Sequence, residues 1–254
     1  MLKIGMWNVE WKGKRSPATT RIKQILRHYD FDILCINEGY PHHLPDWIDG
    51  HKIHSEHSGV ARYENKMGRK VYLWSKTAFN SVDTIGHPDL PEGRFVSAKI
   101  STGIGEIQVI GLAIPYFMYR VQSHNFKTNE GKIRYLNLLK KHILPDYTLE
   151  HTIIVGDFNI QIPQQGKQYP PADINRLRQE TFKPFLIPSA GDKSHFILEQ
   201  PLSNTRIAAD KMFVDHICHS EDLQTETIWR WSRKTADNVR LSDHDGVGAL
   251  LTLR

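Results

Sequence analysis

Short apolar runs, broken by polar residues and bounded by Gly, Pro, Asn or Asp, recur along most of this chain. Those over Lys3 to Val9, Ile33 to Glu38, Lys70 to Trp74, Arg94 to Ile100, Glu106 to Ala113 and Thr152 to Val155 are mostly β-branched or aromatic and predict strands. Met212 to Cys218, Glu226 to Ser232 and Gly246 to Leu253 continue the series. Helical spacing is rarer. Ile22, Ile25, Leu26 and Tyr29 predict a helix over Ala18 to Tyr29. Ile133, Leu136, Leu139 and Ile143 predict a second over Lys127 to Leu144, which Pro145 closes, and a weaker helix is expected over Asp173 to Phe182.

Strands outnumber helices, and the two do not alternate one for one. That pattern argues against a doubly wound parallel sheet and for an α/β architecture of two packed mixed sheets with helices outside. No internal repeat or linker interrupts the chain, so residues 1–254 are expected to form a single domain. The least regular stretches, Gly50 to Arg69, Gln161 to Ala172 and Pro188 to Ala209, read as surface excursions.

Composition sharpens this picture only modestly. With 39% apolar and 24% charged residues, a packed core is expected rather than disorder. The balance of 33 Lys+Arg against 28 Asp+Glu, a formal charge of +5, suits a polyanion such as nucleic acid or an anionic membrane surface. Two cysteines exclude a disulfide framework or a multi-Cys zinc site, and Cys35 and Cys218 both fall in apolar runs that predict buried strand positions. No run approaches the roughly 20 apolar residues of a membrane span. The opening Met1 to Trp7 is too short and polar for a signal peptide, so a reduced, cytoplasmic setting is expected.

Polar residues collect where the predicted strands end. Asn8 and Glu10 follow the first, Asn37 and Glu38 the second, and Asp157 and Asn159 the run at Thr152. Asp215 and His216 lie within a later strand, and Asp243 and His244 precede the last. Carboxylates gathered at buried strand ends repel one another, and a hard divalent cation with oxygen ligands relieves that repulsion. Asn and His add donors for phosphate oxygens. As a set the residues fit metal-assisted phosphoryl hydrolysis. Singly they are weak: Gly-Asp-Phe-Asn also reads as an Asx-turn, Glu38 as a salt-bridge partner and Asp243 as a cap. Asp215 in an apolar strand is the hardest to dismiss, because an unpaired buried carboxylate is costly.

The ordered series Trp7-Asn8-Val9-Glu10, Ile36-Asn37-Glu38, Glu92-Gly93-Arg94, Gly156-Asp157-Phe158-Asn159, Val214-Asp215-His216-Ile217 and Ser242-Asp243-His244 resembles the endonuclease/exonuclease/phosphatase superfamily over nearly the whole chain. That superfamily includes exonuclease III, abasic-site endonucleases, pancreatic-type DNases, sphingomyelinases and inositol polyphosphate 5-phosphatases. The resemblance implies a four-layered α/β sandwich with its site at one rim. It implies Mg²⁺, with Mn²⁺ as a substitute, held by Glu38 and, directly or through water, by Glu10 and Asp243. It also implies that Asn8 and Asn159 hold the scissile phosphate, that Asp157 orients or deprotonates water, and that His244, fixed by Asp215, stabilises the phosphoryl oxygens. Two departures stand out. Where many members place a phosphate-contacting Tyr or His the chain has Ala113, leaving Tyr116 as the substitute, and Glu10 replaces the usual Asp of the exonuclease III type.

The expected substrate is DNA or RNA. The basic balance, the Glu-Gly-Arg string and the aromatic–basic strand carrying Trp229, Arg230 and Trp231 support it, although both Trp residues also suit sheet packing. Arg62, Arg69 and Lys70 suit a phosphate-facing rim or a solvated loop, and Lys211 to Val214 a nucleoside pocket or a buried strand. A lipid or inositol-phosphate esterase is the alternative, but no apolar hairpin suited to membrane insertion supports it. His42, His43, His51, His54 and His57 match no tight zinc spacing. A non-catalytic scaffold is disfavoured, since Glu38, Asp157 and His244 are all present.

Overall fold

A computed structural model describes residues 1–57, 67–116, 120–121, 124–125, 129–147, 150–160, 172–187, 196–198 and 214–254. Its strands, in chain order, begin with β1 (Leu2–Asn8), β2 (Ile33–Gly39), β3 (His51–His54), β4 (Arg69–Ser75) and β5 (Phe79–Asp83). There follow β6 (Phe95–Thr102), β7 (Gly105–Ala113), β8 (Arg120–Val121), β9 (His124–Asn125) and β10 (Thr152–Asp157). The last are β11 (Phe185–Leu186), β12 (Phe196–Leu198), β13 (Asp215–Ser220), β14 (Leu223–Trp231) and β15 (Gly246–Leu253). A seven-stranded sheet runs β12-β14-β15-β1-β2-β4-β3 and a six-stranded one β11-β13-β10-β7-β6-β5, with β8 and β9 forming a small ribbon.

Four layers result. Between the sheets lies an aliphatic core of residues such as Ile4, Met6, Ile33, Val71, Val109, Val155, Ile217 and Val247. Helix α1 (Pro17–Tyr29) covers the outer face of the larger sheet with Ile22, Ile25, Leu26 and Tyr29. Its start is set by Ser16, whose hydroxyl accepts from the Ala18 N–H, and by Pro17, which needs no hydrogen bond there. Helices α2 (Glu130–Leu138) and α3 (Ala172–Thr181) cover the smaller sheet.

The expected second helix is shorter than its apolar periodicity. After Leu138 it widens into a π turn over Leu139–Ile143 and then a tight turn at Leu144–Asp146. Leu139 and Ile143 stay buried through that wide turn, and Pro145 cannot donate to continue an α ladder. The edge strands β3 and β5 were not legible in the pattern, because edge strands with mostly exposed side chains show no apolar alternation. Cys35 and Cys218 are buried free thiols, as their surroundings predict. Arg62 and residues 211–213 lie outside the described residues. Among those described, no helix is long and apolar enough to cross a membrane.

Register converts this topology into a site. β1 and β2 run parallel, as do β7 and β10, so their C-terminal ends meet at one rim. Antiparallel β13 begins there, with Asp215 opposite Asp157, and β15 enters beside β1 with Val247 opposite Met6. Gly156 sits at φ +151, and a Cβ on it would lie 2.0 Å from the Leu112 carbonyl oxygen, so only glycine lets β10 approach β7 here.

Candidate active site

The rim collects Asn8 from the end of β1, Glu38 from β2, Asp157 from β10, Asp215 from β13, and His244 from the turn before β15. Asp157 is buried and fully engaged. Its Oδ1 accepts from the Asn159 backbone N–H at 2.9 Å, the Asx-turn geometry. Its Oδ2 accepts from the side-chain amides of Asn159 at 3.0 Å and Asn8 at 3.1 Å. Burial pushes its carboxyl above the ordinary range, and the charge of Glu38 adds to that, while His244 opposes it.

Asp215 Oδ2 lies 2.7 Å from His244 Nδ1. Burial pushes the Asp215 carboxyl up as well, and Asp215 Oδ1 is buried without a hydrogen-bond partner. For His244, burial works against the charge, but Asp215, Asp157 and Asp243 outweigh it and hold the imidazole up to about 11. The pair therefore holds its proton on His244. Two further bonds fix that residue: Trp7 Nε1 donates to its carbonyl at 2.9 Å and its N–H donates to Ser242 Oγ at 3.1 Å, while Ser242 Oγ in turn donates to the Asn8 carbonyl at 2.6 Å.

Asp157, Asp215 and His244 each offer an atom within 4.8 Å of the others, the only such trio among the described residues. A protonated imidazole bonded to a carboxylate is a poor metal ligand, so this trio reads as an acid–imidazole pair beside a second carboxylate, Asp157. A hard cation would instead be held at the half-buried Glu38 on the same rim. Glu38 fits such an ion as a hard oxygen donor: Lys70 bonds its Oε1, and its charge lies near enough to Asp157 to raise that carboxyl.

The other carboxylates expected to approach a metal are differently engaged. Glu10 is held by Lys12 at 2.9 Å and by Arg240 in close contact, with its backbone at φ +51. One methylene longer than Asp, it reaches these cations. Asp243 is half exposed, with Oδ1 3.8 Å from His244 Nε2. Glu38 meets Lys70 Nζ at 2.6 Å and also sits in the left-handed region, at φ +51. Non-glycine residues in that region are strained and persist where their surroundings enforce it, often at functional sites.

Other expectations resolve structurally. Both N–H groups of the Asn159 amide are engaged, one by Asp157 and one by the Ile114 carbonyl at 2.8 Å. Tyr116 is exposed just beyond Ile114 and Pro115. Arg94 is buried, donating to the Ala113 carbonyl at 3.0 Å, and the Tyr135 hydroxyl donates to the Arg94 carbonyl, so the Glu-Gly-Arg string builds the fold. Trp231 is buried against Trp7, Tyr29 and Phe31 under α1, and Arg230 is paired with Asp245, so that strand packs the sheet instead of presenting a stacking face. His43 is buried, held near 3 chiefly by burial, and accepts the Tyr40 N–H, while no histidine cluster of metal-binding geometry forms among the described residues.

Asn37, Lys12, Arg240 and Ser242 went unassigned in the sequence. The partners of Asn37, Arg240 and Ser242 lie 33 to 234 residues away, so no local spacing announces them, while Lys12 meets Glu10 only two residues away. Asn37, at a polar strand end, is a clamp: its amide donates to the Lys70 carbonyl in one sheet and to the Leu112 carbonyl in the other, both at 2.9 Å.

Two mixed sheets capped by helices, with carboxylate, amide and imidazole groups on one rim, define a phosphoesterase scaffold. The model of the Endonuclease/Exonuclease/phosphatase family matches residues 7–244, and the chain belongs to that family. Its members are phosphoester hydrolases, typically dependent on a divalent metal. Among solved structures, the fold is shared with an AP endonuclease from Archaeoglobus fulgidus (TM-score 0.69, 19% identity, 98% of this chain and 99% of that one). It is also shared with a 3'-5' exonuclease from Neisseria meningitidis (TM-score 0.66, 19% identity, 99% and 100%). A third is D. rerio TDP2 complexed with single-strand DNA product (TM-score 0.66, 12% identity, 99% and 98%). A search of curated protein sequences finds no match.

Proposed function

We propose that the chain is a divalent-metal-dependent phosphodiesterase, a nuclease acting on DNA or RNA with Mg²⁺ or, in its place, Mn²⁺. The observation that carries this reading is the 2.7 Å Asp215–His244 pair beside an Asp157 carboxylate held by two amides. It supplies a buried cationic donor and an oriented acceptor of raised proton affinity, the two groups that water attack on a phosphodiester requires.

In this mechanism Asp157 orients the attacking water and takes its proton. Its elevated proton affinity suits that role, and the Asn8 and Asn159 amides keep its lone pairs aligned. Asn159 acts through Asp157, because its own donors are spent. Asn8, with one N–H on Asp157, has a second for a phosphate oxygen. His244 donates from Nε2 to the phosphoryl oxygens as charge builds, while Asp215 keeps Nδ1 oriented. A cation held by Glu38 and, directly or through water, by Glu10 and Asp243 would supply Lewis-acid charge at the phosphoryl group. Lys12, Lys70 and Arg240 around that rim favour a polyanionic substrate, and relatives of the same fold that carry nuclease names or hold DNA support nucleic acid.

The test is a Mg²⁺ and Mn²⁺ screen of labelled single- and double-stranded DNA, RNA, sphingomyelin and inositol polyphosphates, with Glu38→Ala beside wild type. Nucleic-acid cleavage that the variant lacks is expected. Turnover of only the lipid or inositol substrates would overturn the nuclease assignment, and full activity of Glu38→Ala would overturn the metal site.

A further inference from the structure

Lys70, the second residue of β4, lies across from Glu38, between the paired positions Asn37–Val71 and Gly39–Arg69. Its Nζ donates to Glu38 Oε1 at 2.6 Å and lies 5.3 Å from the centre of the Trp11 ring. The ammonium-bearing side chain is 12% exposed, less than the 26% of its carboxylate partner. The Asn37 amide holds its backbone through the Lys70 carbonyl. Around it, Trp11 at φ +53 donates its N–H to the carbonyl of Glu38, itself at φ +51, at 2.7 Å. Two strained residues thus set a carboxylate and an indole about one cation.

We propose that Lys70 is a positioning residue that acts through Glu38, making the site a weak binder of divalent metal until an anionic phosphate joins it. The inference rests on Glu38 being a metal ligand. Lys70 bonds Oε1, so a metal would be met by the other oxygen, Oε2. A fixed positive charge within a few ångströms repels a divalent ion. A phosphate brings negative charge that offsets this repulsion, so metal and substrate bind cooperatively.

The sign of the effect separates this role from a structural one. A lysine that merely supported Glu38 would, when removed, loosen the carboxylate and weaken metal binding. A lysine that tunes charge would, when removed, tighten it.

The experiment titrates Mn²⁺ into the protein without substrate, followed by electron paramagnetic resonance of the free ion. Lys70→Met, which keeps the aliphatic stem over Trp11, should bind about tenfold tighter than wild type, the scale expected for one unit charge near a divalent ion in a solvent-screened site. Lys70→Gln, which keeps a donor for Oε1 without the charge, should shift in the same direction, and Lys70→Arg should stay near wild type. Added inorganic phosphate should tighten Mn²⁺ binding by wild type more than by Lys70→Met. Unchanged or weaker binding by both Lys70→Met and Lys70→Gln, with binding lost in Glu38→Gln, would overturn the proposal and leave the metal site standing. Wild-type binding by Glu38→Gln would overturn the metal site itself, and the proposal with it.

Discussion

Replacing Asn37 with alanine should destabilise the protein through the seam between its sheets. Asn37 is fully buried, and its amide donates at 2.9 Å to Lys70 O in the larger sheet and at 2.9 Å to Leu112 O in the smaller. The bond to Leu112 is buried and that to Lys70 part-buried, so solvent replaces the lost donor poorly. Each buried acceptor stripped of its partner costs about 1–3 kcal/mol, and since a carbonyl keeps a second lone pair the lower half of that range applies, for a total of about 2–4 kcal/mol. In a protein of this length each kcal/mol moves Tm by roughly 2–4 °C, so a fall of about 4–16 °C is expected. Thermal unfolding followed by circular dichroism reads it, and urea titration should show a lower midpoint at an unchanged slope. Asn37→Asp should be worse than alanine, because carboxylate oxygens would face two carbonyl oxygens. A Tm within about 2 °C of wild type for Asn37→Ala, below the shift one kcal/mol produces, would refute the clamp. An aspartate milder than alanine would refute it equally.

Gly156→Ala should prevent correct pairing of β10 with β7, since its Cβ would meet the Leu112 carbonyl at 2.0 Å, and the soluble yield and Tm should both fall well below wild type. Normal folding would mean that β10 can shift at little cost. The Asp215–His244 pair predicts a pH effect of definite sign. His244, held up to about 11 against an ordinary 6.5, contributes stability that is fully present below pH 6.5 and is lost as pH rises toward 11. His244→Gln should therefore flatten that alkaline decline in denaturation measurements, and an unchanged alkaline profile would refute the assignment. In Asp215→Asn, with its largest favourable partner gone and burial still opposing its charge, the His244 imidazole should titrate at a lower pH by NMR. An unmoved titration would mean that Asp157 and Asp243 alone hold the proton.

Much of this was legible in the residues. Apolar runs of β-branched residues announced the central strands, since a strand buried on both faces must be apolar throughout. A carboxylate or amide at the end of such a run marked the rim, because only a strand's end lets a charged group escape the core. Asn8, Glu38 and Asp157 followed from that rule, Asp215 stood out as a carboxylate within an apolar strand, His244 came from the resemblance, and all five lie at one rim. The polar edge strands β3 and β5, with one flank unpaired and side chains largely in water, left no periodic trace.

Tertiary structure alone decided which charges face which. Lys70 meets Glu38 across 32 positions, Arg240 meets Glu10 across 230, and Asn37 joins the sheets through a carbonyl 75 residues away. It also separated look-alikes: Trp231 went under α1, Arg94 into the fold, and both Asn159 donors to Asp157 and Ile114. A local pattern records whether a residue is buried or exposed, since that depends on periodicity. It carries no record of a hydrogen-bond partner, which depends on where the chain returns after hundreds of ångströms of contour, and so the chemistry of this rim became readable only in three dimensions.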